Sequence, residues 1–154
     1  MMRPMVSNTL LSRLPRARAS LLRALGNLAD ESGVSLYLVG GVVRDLLLKR
    51  ENWDLDLTVE GDGIAFARLV AVQYRAGLAV FERFATARLT FPDGLKMDIA
   101  TTRRESYAQP ALLPTVQPAP IEADLSRRDF TINAMAMQLN PGQFGRLLDP
   151  YGGQ

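Results

Sequence analysis

Trp53-Asp54-Leu55-Asp56-Leu57-Thr58-Val59 alternates without a break: Asp54, Asp56 and Thr58 fall on one side, Leu55, Leu57 and Val59 on the other. Alternate residues of a strand share a face. The stretch therefore reads as a half-buried strand, with two carboxylates roughly 7 Å apart on its polar side. Like charges that close repel unless a cation lies beside them. Mg²⁺ suits the place, because it takes carboxylate and phosphate oxygens and keeps some of its water. An Asp-x-Asp strand can equally be a solvated face, so its neighbours decide.

Downstream, Phe84 to Phe91 and Leu95 to Ala100 alternate around Pro92-Asp93-Gly94, which predicts a hairpin. Asp98 falls on the polar face of its second strand. If that strand lies beside 53–59, three carboxylates converge on one patch of sheet, the arrangement that two-metal phosphoryl or nucleotidyl transfer uses. Upstream, Leu36-Tyr37-Leu38-Val39 is a short buried strand that breaks at Gly40-Gly41. A helix is expected from Val42 to Lys49. Glycines at a helix start leave backbone N–H groups open to a phosphate, and Arg44 is placed to grip one. A plain tight turn with an exposed Arg reads the same way.

Further out, helical spacing of Leu14, Leu21, Leu22, Leu25 and Leu28 predicts a helix over about Leu10–Asp30, with Pro15 in its first turn and Gly33 as its stop. Its Arg13, Arg16, Arg18 and Arg23 are either a solvated face or a patch for RNA. Ile64 to Arg75 suits an amphipathic helix stopped by Gly77. The stretch from Glu105 to Pro120, with four prolines, reads as a loop. Ser126 is placed to cap a short helix. There Arg127 and Arg128 oppose the helix dipole, a cost easier to understand if an anion binds. A second hairpin is expected from Met135–Leu139 and Arg146–Leu148 around Asn140-Pro141-Gly142. The fold class is α/β (α+β) with a mixed sheet, organised as a helical segment over 1–32 and a main domain over 33–154.

Composition narrows the chemistry. The 154 residues are 47% hydrophobic and 22% charged, with a net charge of +2, ordinary for a globular domain. Of the 18 basic residues only Lys49 and Lys96 are lysines. There is no Cys and no His, which excludes disulfide scaffolds, Cys/His zinc sites and catalysis through a Ser-His or Cys-His pair. Chemistry must come from carboxylates and oxygen-bound metals. No apolar run approaches the roughly 20 residues that span a bilayer, and no signal-peptide pattern opens the chain, so a cytoplasmic protein is expected.

Leu38-Val39-Gly40-Gly41-Val42-Val43-Arg44-Asp45, Asp54-Leu55-Asp56-Leu57, Asp98-Ile99-Ala100-Thr101, the stretch from Asp124 through Ala136, and Asp149-Pro150-Tyr151-Gly152-Gly153 occur in that order. Together they resemble the class II tRNA nucleotidyltransferase and bacterial poly(A) polymerase family, over about Tyr37 to the C-terminus. The resemblance implies a nucleotidyltransferase fold, a mixed, mostly antiparallel sheet with flanking helices. It implies addition of CMP or AMP from CTP or ATP to an RNA 3′ end, that of tRNA or a poly(A) tail. Asp54 and Asp56 match the family's metal-binding pair, for Mg²⁺. Gly40, Gly41 and Arg44 match its triphosphate contacts, and Arg128, Asp129 and Asn133 its nucleotide contacts. Either Asp98, which we favour, or Asp129 is the third carboxylate. The family's base-pairing Glu-Asp-x-x-Arg motif, neck, body and tail are absent. The chain is therefore expected to be a truncation or one half of a two-part enzyme; the alternative to transfer is that the isolated chain only binds Mg²⁺ and nucleotide, or simply folds. A remote alternative is a haloacid-dehalogenase-like phosphatase with Asp54 as nucleophile. Against it, Lys49-Arg50-Glu51-Asn52 stand where that family has an apolar strand.

Overall fold

The strand that carries Asp56 lies inside a sheet rather than at its edge. The computed structural model describes residues 14–40, 43, 55–106, 115–118, 120–126 and 135–148. In chain order the elements are α1 (Arg16–Glu31), β1 (Ser35–Val39), β2 (Leu55–Glu60), α2 (Gly63–Tyr74), β3 (Gly77–Phe81), a 3₁₀ turn (Glu82–Phe84), β4 (Thr86–Thr90), β5 (Lys96–Thr101), β6 (Arg103–Ser106), β7 (Thr115–Pro118), α3 (Ile121–Ser126), β8 (Ala136–Gln138) and β9 (Leu147–Leu148). Seven strands form one sheet in the order β3-β4-β5-β2-β1-β8-β9. β2 and β5 run parallel, and the other described pairs of this sheet are antiparallel. This is the mixed, mostly antiparallel sheet with flanking helices that the sequence implied.

The sheet buries both of its faces at one end and only one at the other. On the inner face, Leu36 and Leu38 of β1, Leu55, Leu57 and Val59 of β2, and Met97 and Ile99 of β5 share a core with Leu22, Leu25 and Ala29 of α1 and Phe66, Ala67 and Val70 of α2. On the outer face a smaller core joins Tyr37, Val39, Ala136 and Leu148 to Ile121 and Leu125 of α3. That accounts for the unbroken apolar run of β1, a strand covered on both sides. The outer face of β2 differs, since α3 does not cover all of it: Asp56 there is exposed, while Thr58 is buried.

Local chemistry fixes the joints. α1 starts after Pro15, which occupies its N-cap position, a step earlier than the first-turn place expected. Gly26, inside α1, lies against the Leu139 carbonyl with no room for a Cβ. Asn140 is buried; its Oδ1 accepts the Leu36 N–H at 2.8 Å and its Nδ2 donates to the Val34 carbonyl at 2.9 Å. The Asp62 side chain caps α2 by accepting the Ala65 N–H at 3.0 Å.

Three readings need correction. α2 ends where Ile64–Arg75 predicts, but its stop is the left-handed Arg75, φ 53°, and not Gly77, which instead opens β3. The first arm of the central hairpin is shorter than Phe84–Phe91, because the 3₁₀ turn and a left-handed Ala85 at φ 53° delay the strand to Thr86. Within 105–120, β6 and β7 pair antiparallel, Glu105 opposite Val116. Ser126 closes α3; the helix it was expected to start falls on residues outside the described ones. The hairpin at Asn140-Pro141-Gly142 forms as expected, with Met137 opposite Leu147.

Candidate active site

Register places the first two site residues. β1 and β2 pair with Val39 opposite Asp56, so the turn that follows β1 begins beside Asp56. β2 and β5 pair with Asp56 opposite Asp98. Paired residues point to the same face, and both carboxylates stand on the outer face, in the part of the sheet that α3 leaves open. β5 and β4 pair with Arg88 opposite Asp98. The row across three strands is therefore Asp56, Asp98, Arg88.

Charge alternates incompletely along this row. Arg88 grips Asp98 with two hydrogen bonds, Nε donating to Oδ1 at 2.7 Å and Nη2 to Oδ2 at 3.1 Å. Both side chains are about half exposed, 52% for Arg88 and 46% for Asp98. The hydrogen bond and the charge of Asp98, with a smaller pull from Asp56, hold the Arg88 guanidinium above its ordinary pKa, so it is a cation at any working pH.

The glycine turn touches the same spot. Gly40 has φ +82°, a conformation that costs an L side chain about 1–2 kcal/mol. A Cβ on it would lie 3.2 Å from Asp56 Oδ2. The Val43 N–H closes the turn onto the Gly40 carbonyl at 3.1 Å. The structure thus brings together Gly40, Asp56 and Asp98. Asp54, Gly41, Arg44, Arg128, Asp129 and Asn133 lie outside the described residues. Among the described residues no three acidic side chains are grouped to hold a metal ion; the two that adjoin are Asp56 and Asp98.

Arg88 was not among the residues singled out from the sequence, although the signal was there. Arg88 and Asp98 stand equally far from Asp93, the middle of the predicted turn, so a symmetric hairpin pairs them. Of the α1 arginines, Arg18 is tied to Asp93 at 2.9 Å and Arg23 stacks 4.1 Å over the Phe144 ring. These two serve packing; Arg13 lies outside the described residues.

Cavities lined by described residues border the sheet in two places. One, about 400 Å³, adjoins the acidic row and is lined by Phe81, Thr86, Arg88 and Asp98 among others. A larger one, about 470 Å³, lies between α1 and the β4–β5 turn, near Leu21, Tyr74 and Phe91. Its ionic groups, Arg18 and Asp93, already pair with each other. Among the described residues no helix is long and apolar enough to cross a membrane.

Known proteins resemble this chain in sequence and in fold. An A-adding tRNA nucleotidyltransferase of Geobacter sulfurreducens is 50% identical over 139 residues, 90% of this chain and 16% of the relative. A CC-adding tRNA nucleotidyltransferase of Deinococcus radiodurans is 38% identical over 84% of this chain and 35% of its own length. Among solved structures, the Thermotoga maritima CCA-adding enzyme complexed with tRNA superposes with a TM-score of 0.83 at 41% identity, over 99% of this chain and 33% of that one. An apo CCA-adding enzyme reaches a TM-score of 0.90 at 46% identity, over 99% of this chain and 36% of that one. The chain thus spans between about a sixth and just over a third of these relatives' lengths. A family model, the poly A polymerase head domain, matches residues 36–154, and the chain belongs to that family.

Proposed function

We propose that the protein carrying this chain is a template-independent tRNA nucleotidyltransferase, adding CMP or AMP from CTP or ATP to a tRNA 3′ end, and that this chain is its metal- and triphosphate-binding head. One observation carries the reading: Asp56 stands directly opposite Asp98 on an open sheet face, with the Gly40 turn against Asp56. Membership of the head-domain family, and relatives named for A, CC and CCA addition, support it. The same features favour it over the phosphatase reading. A cytoplasmic location goes with it.

In the reaction, the 3′-hydroxyl oxygen of the RNA forms a bond to the α-phosphorus. The bond from that phosphorus to the bridging oxygen breaks, and pyrophosphate leaves with the electron pair. The hydroxyl proton must be lost, and Asp98, beside Asp56, is the described residue placed to help. The donor set suits Mg²⁺, since the paired side chains offer carboxylate oxygens and no nitrogen or sulfur. Asp54 and Asp56 would hold it, with Asp98, opposite Asp56, as a further oxygen ligand. When bound, Mg²⁺ offsets triphosphate charge and eases loss of the hydroxyl proton. Gly40, with Gly41 and Arg44, seats the triphosphate by presenting backbone and guanidinium donors. Arg128, Asp129 and Asn133 contact the nucleotide.

The experiment compares the natural enzyme with the isolated chain. Each is given labelled ATP or CTP, Mg²⁺ and tRNAs shortened by one, two or three terminal nucleotides. The natural enzyme should extend at least one of them, and the isolated chain should not. Failure of the natural enzyme on all three acceptors would overturn the proposal.

A further inference from the structure

We propose that Arg88 is a positioning residue, a fork that locks the Asp98 carboxylate in the orientation the reaction needs. The inference rests on the nucleotidyltransferase reading above and adds a residue to that site.

The physical case begins with repulsion. Asp56 and Asp98 are direct cross-strand neighbours on one face, and like charges so placed push apart. An aspartate has two rotatable bonds, so an unsupported Asp98 would swing away from Asp56 or sample several rotamers. Arg88 stands on its other side and engages both oxygens, at 2.7 and 3.1 Å. Two parallel N–H bonds fix the plane of a carboxylate, which one point charge cannot do. Each carboxylate oxygen has about two acceptor positions. With one of them taken by Arg88, the other stays free for a proton or a cation. Asp98 is thus held without being used up.

The pair is poorly explained as a stability device. Both partners are about half exposed, and ion pairs open to water add little to folding. What the fork supplies is orientation, and a group that reacts or ligates benefits from it in proportion to how finely it must be placed.

The test uses the natural enzyme and the variants Arg88→Ala, Arg88→Lys, Asp98→Ala and the double variant Arg88→Ala/Asp98→Ala. The readouts are steady-state transfer and Mn²⁺ binding followed by electron paramagnetic resonance. Arg88→Ala should lower kcat about 10–100-fold, the usual range for a residue that orients a metal-site carboxylate, with KM for the nucleotide changed less than about twofold. Mn²⁺ should bind more weakly. Arg88→Lys keeps the charge and loses the fork, so it should match Arg88→Ala in both readouts. The double variant should be no slower than Asp98→Ala alone, because Arg88 acts through Asp98. A near-normal Arg88→Lys, an additive loss in the double variant, or tighter Mn²⁺ binding by Arg88→Ala would overturn the inference. If the wild-type enzyme transfers nothing, the functional reading fails, and the Mn²⁺ comparison still decides the role of Arg88.

Discussion

Gly40 and Asp56 share a space that only a glycine leaves open: a Cβ at position 40 would sit 3.2 Å from Oδ2 of Asp56. Gly40 also holds φ at +82°. One substitution therefore strains the backbone and displaces a site carboxylate together. Gly40→Ala should lose about 1–2 kcal/mol of stability from the backbone alone. Its kcat should fall at least about tenfold, because sub-ångström displacements of reacting groups are costly. Urea melts and single-turnover assays measure the two parts separately. Unchanged turnover would show that Asp56 tolerates the shift.

Asp56→Ala and Asp54→Ala should each abolish transfer by the natural enzyme. Asp56 is exposed, so its removal should leave the melting temperature within a few degrees of wild type. Retention of near-normal incorporation by either variant would end the metal-binding assignment for that residue.

Gly26 gives a prediction of reversed sign. Within a helix, replacing Gly with Ala normally stabilises by roughly 0.5–1 kcal/mol. Here the new Cβ meets the Leu139 carbonyl, so Gly26→Ala should instead destabilise by about 1–3 kcal/mol. Equilibrium denaturation shows which effect wins.

Asn140 joins α1, β1 and the β8–β9 turn through a buried bond to Leu36 and a part-buried one to Val34, with a longer contact to Asp30 at 3.5 Å. Truncation to Ala strands a buried N–H and a carbonyl. A loss of about 1–3 kcal/mol is expected, read as a lower denaturation midpoint with an unchanged slope.

Asp93 predicts a pH effect. The Leu95 N–H and the Arg18 guanidinium hold its carboxyl below the usual carboxylate value. A lowered folded-state pKa means that the stabilisation is present above the unfolded-state value of about 3.9 and is lost as pH falls through the folded one. Wild type should therefore melt higher than Asp93→Asn near pH 7, and the gap should close as the pH drops below about 4. A gap that persists in acid would argue against an ionised Asp93 as its source.

Much of this was legible in the sequence for identifiable reasons. The alternation within 53–59 and the hairpin around Pro92-Asp93-Gly94 are local signals; β2 over its described residues and β5 formed where they pointed, and β4 formed as a shorter arm. β3 was missed because it is a largely exposed edge strand, so no buried pattern marks it. β6 and β7 were missed because Arg103–Ser106 and Thr115–Pro118 carry no apolar alternation. The end of α2 was placed correctly, but its stop was assigned to Gly77 because a glycine is the usual left-handed residue, and here Arg75 takes that turn. The apposition of Asp56 with Asp98 could only be posed as a condition, since β2 and β5 are not neighbours in the chain and local patterns are silent on such pairings. Arg88 was within reach by symmetry about Asp93, once the hairpin was trusted.

The parallel β2–β5 pair has a consequence for assembly. Parallel strands cannot be joined by a tight turn, and here α2, β3 and β4 lie between them. Contacts made across such long chain separations pay their loop-closure cost before any reward. The two acidic side chains should then meet only once the intervening helix and hairpin have taken shape. Refolding should be accelerated by salt or divalent ions, which relieve the repulsion at that closing step.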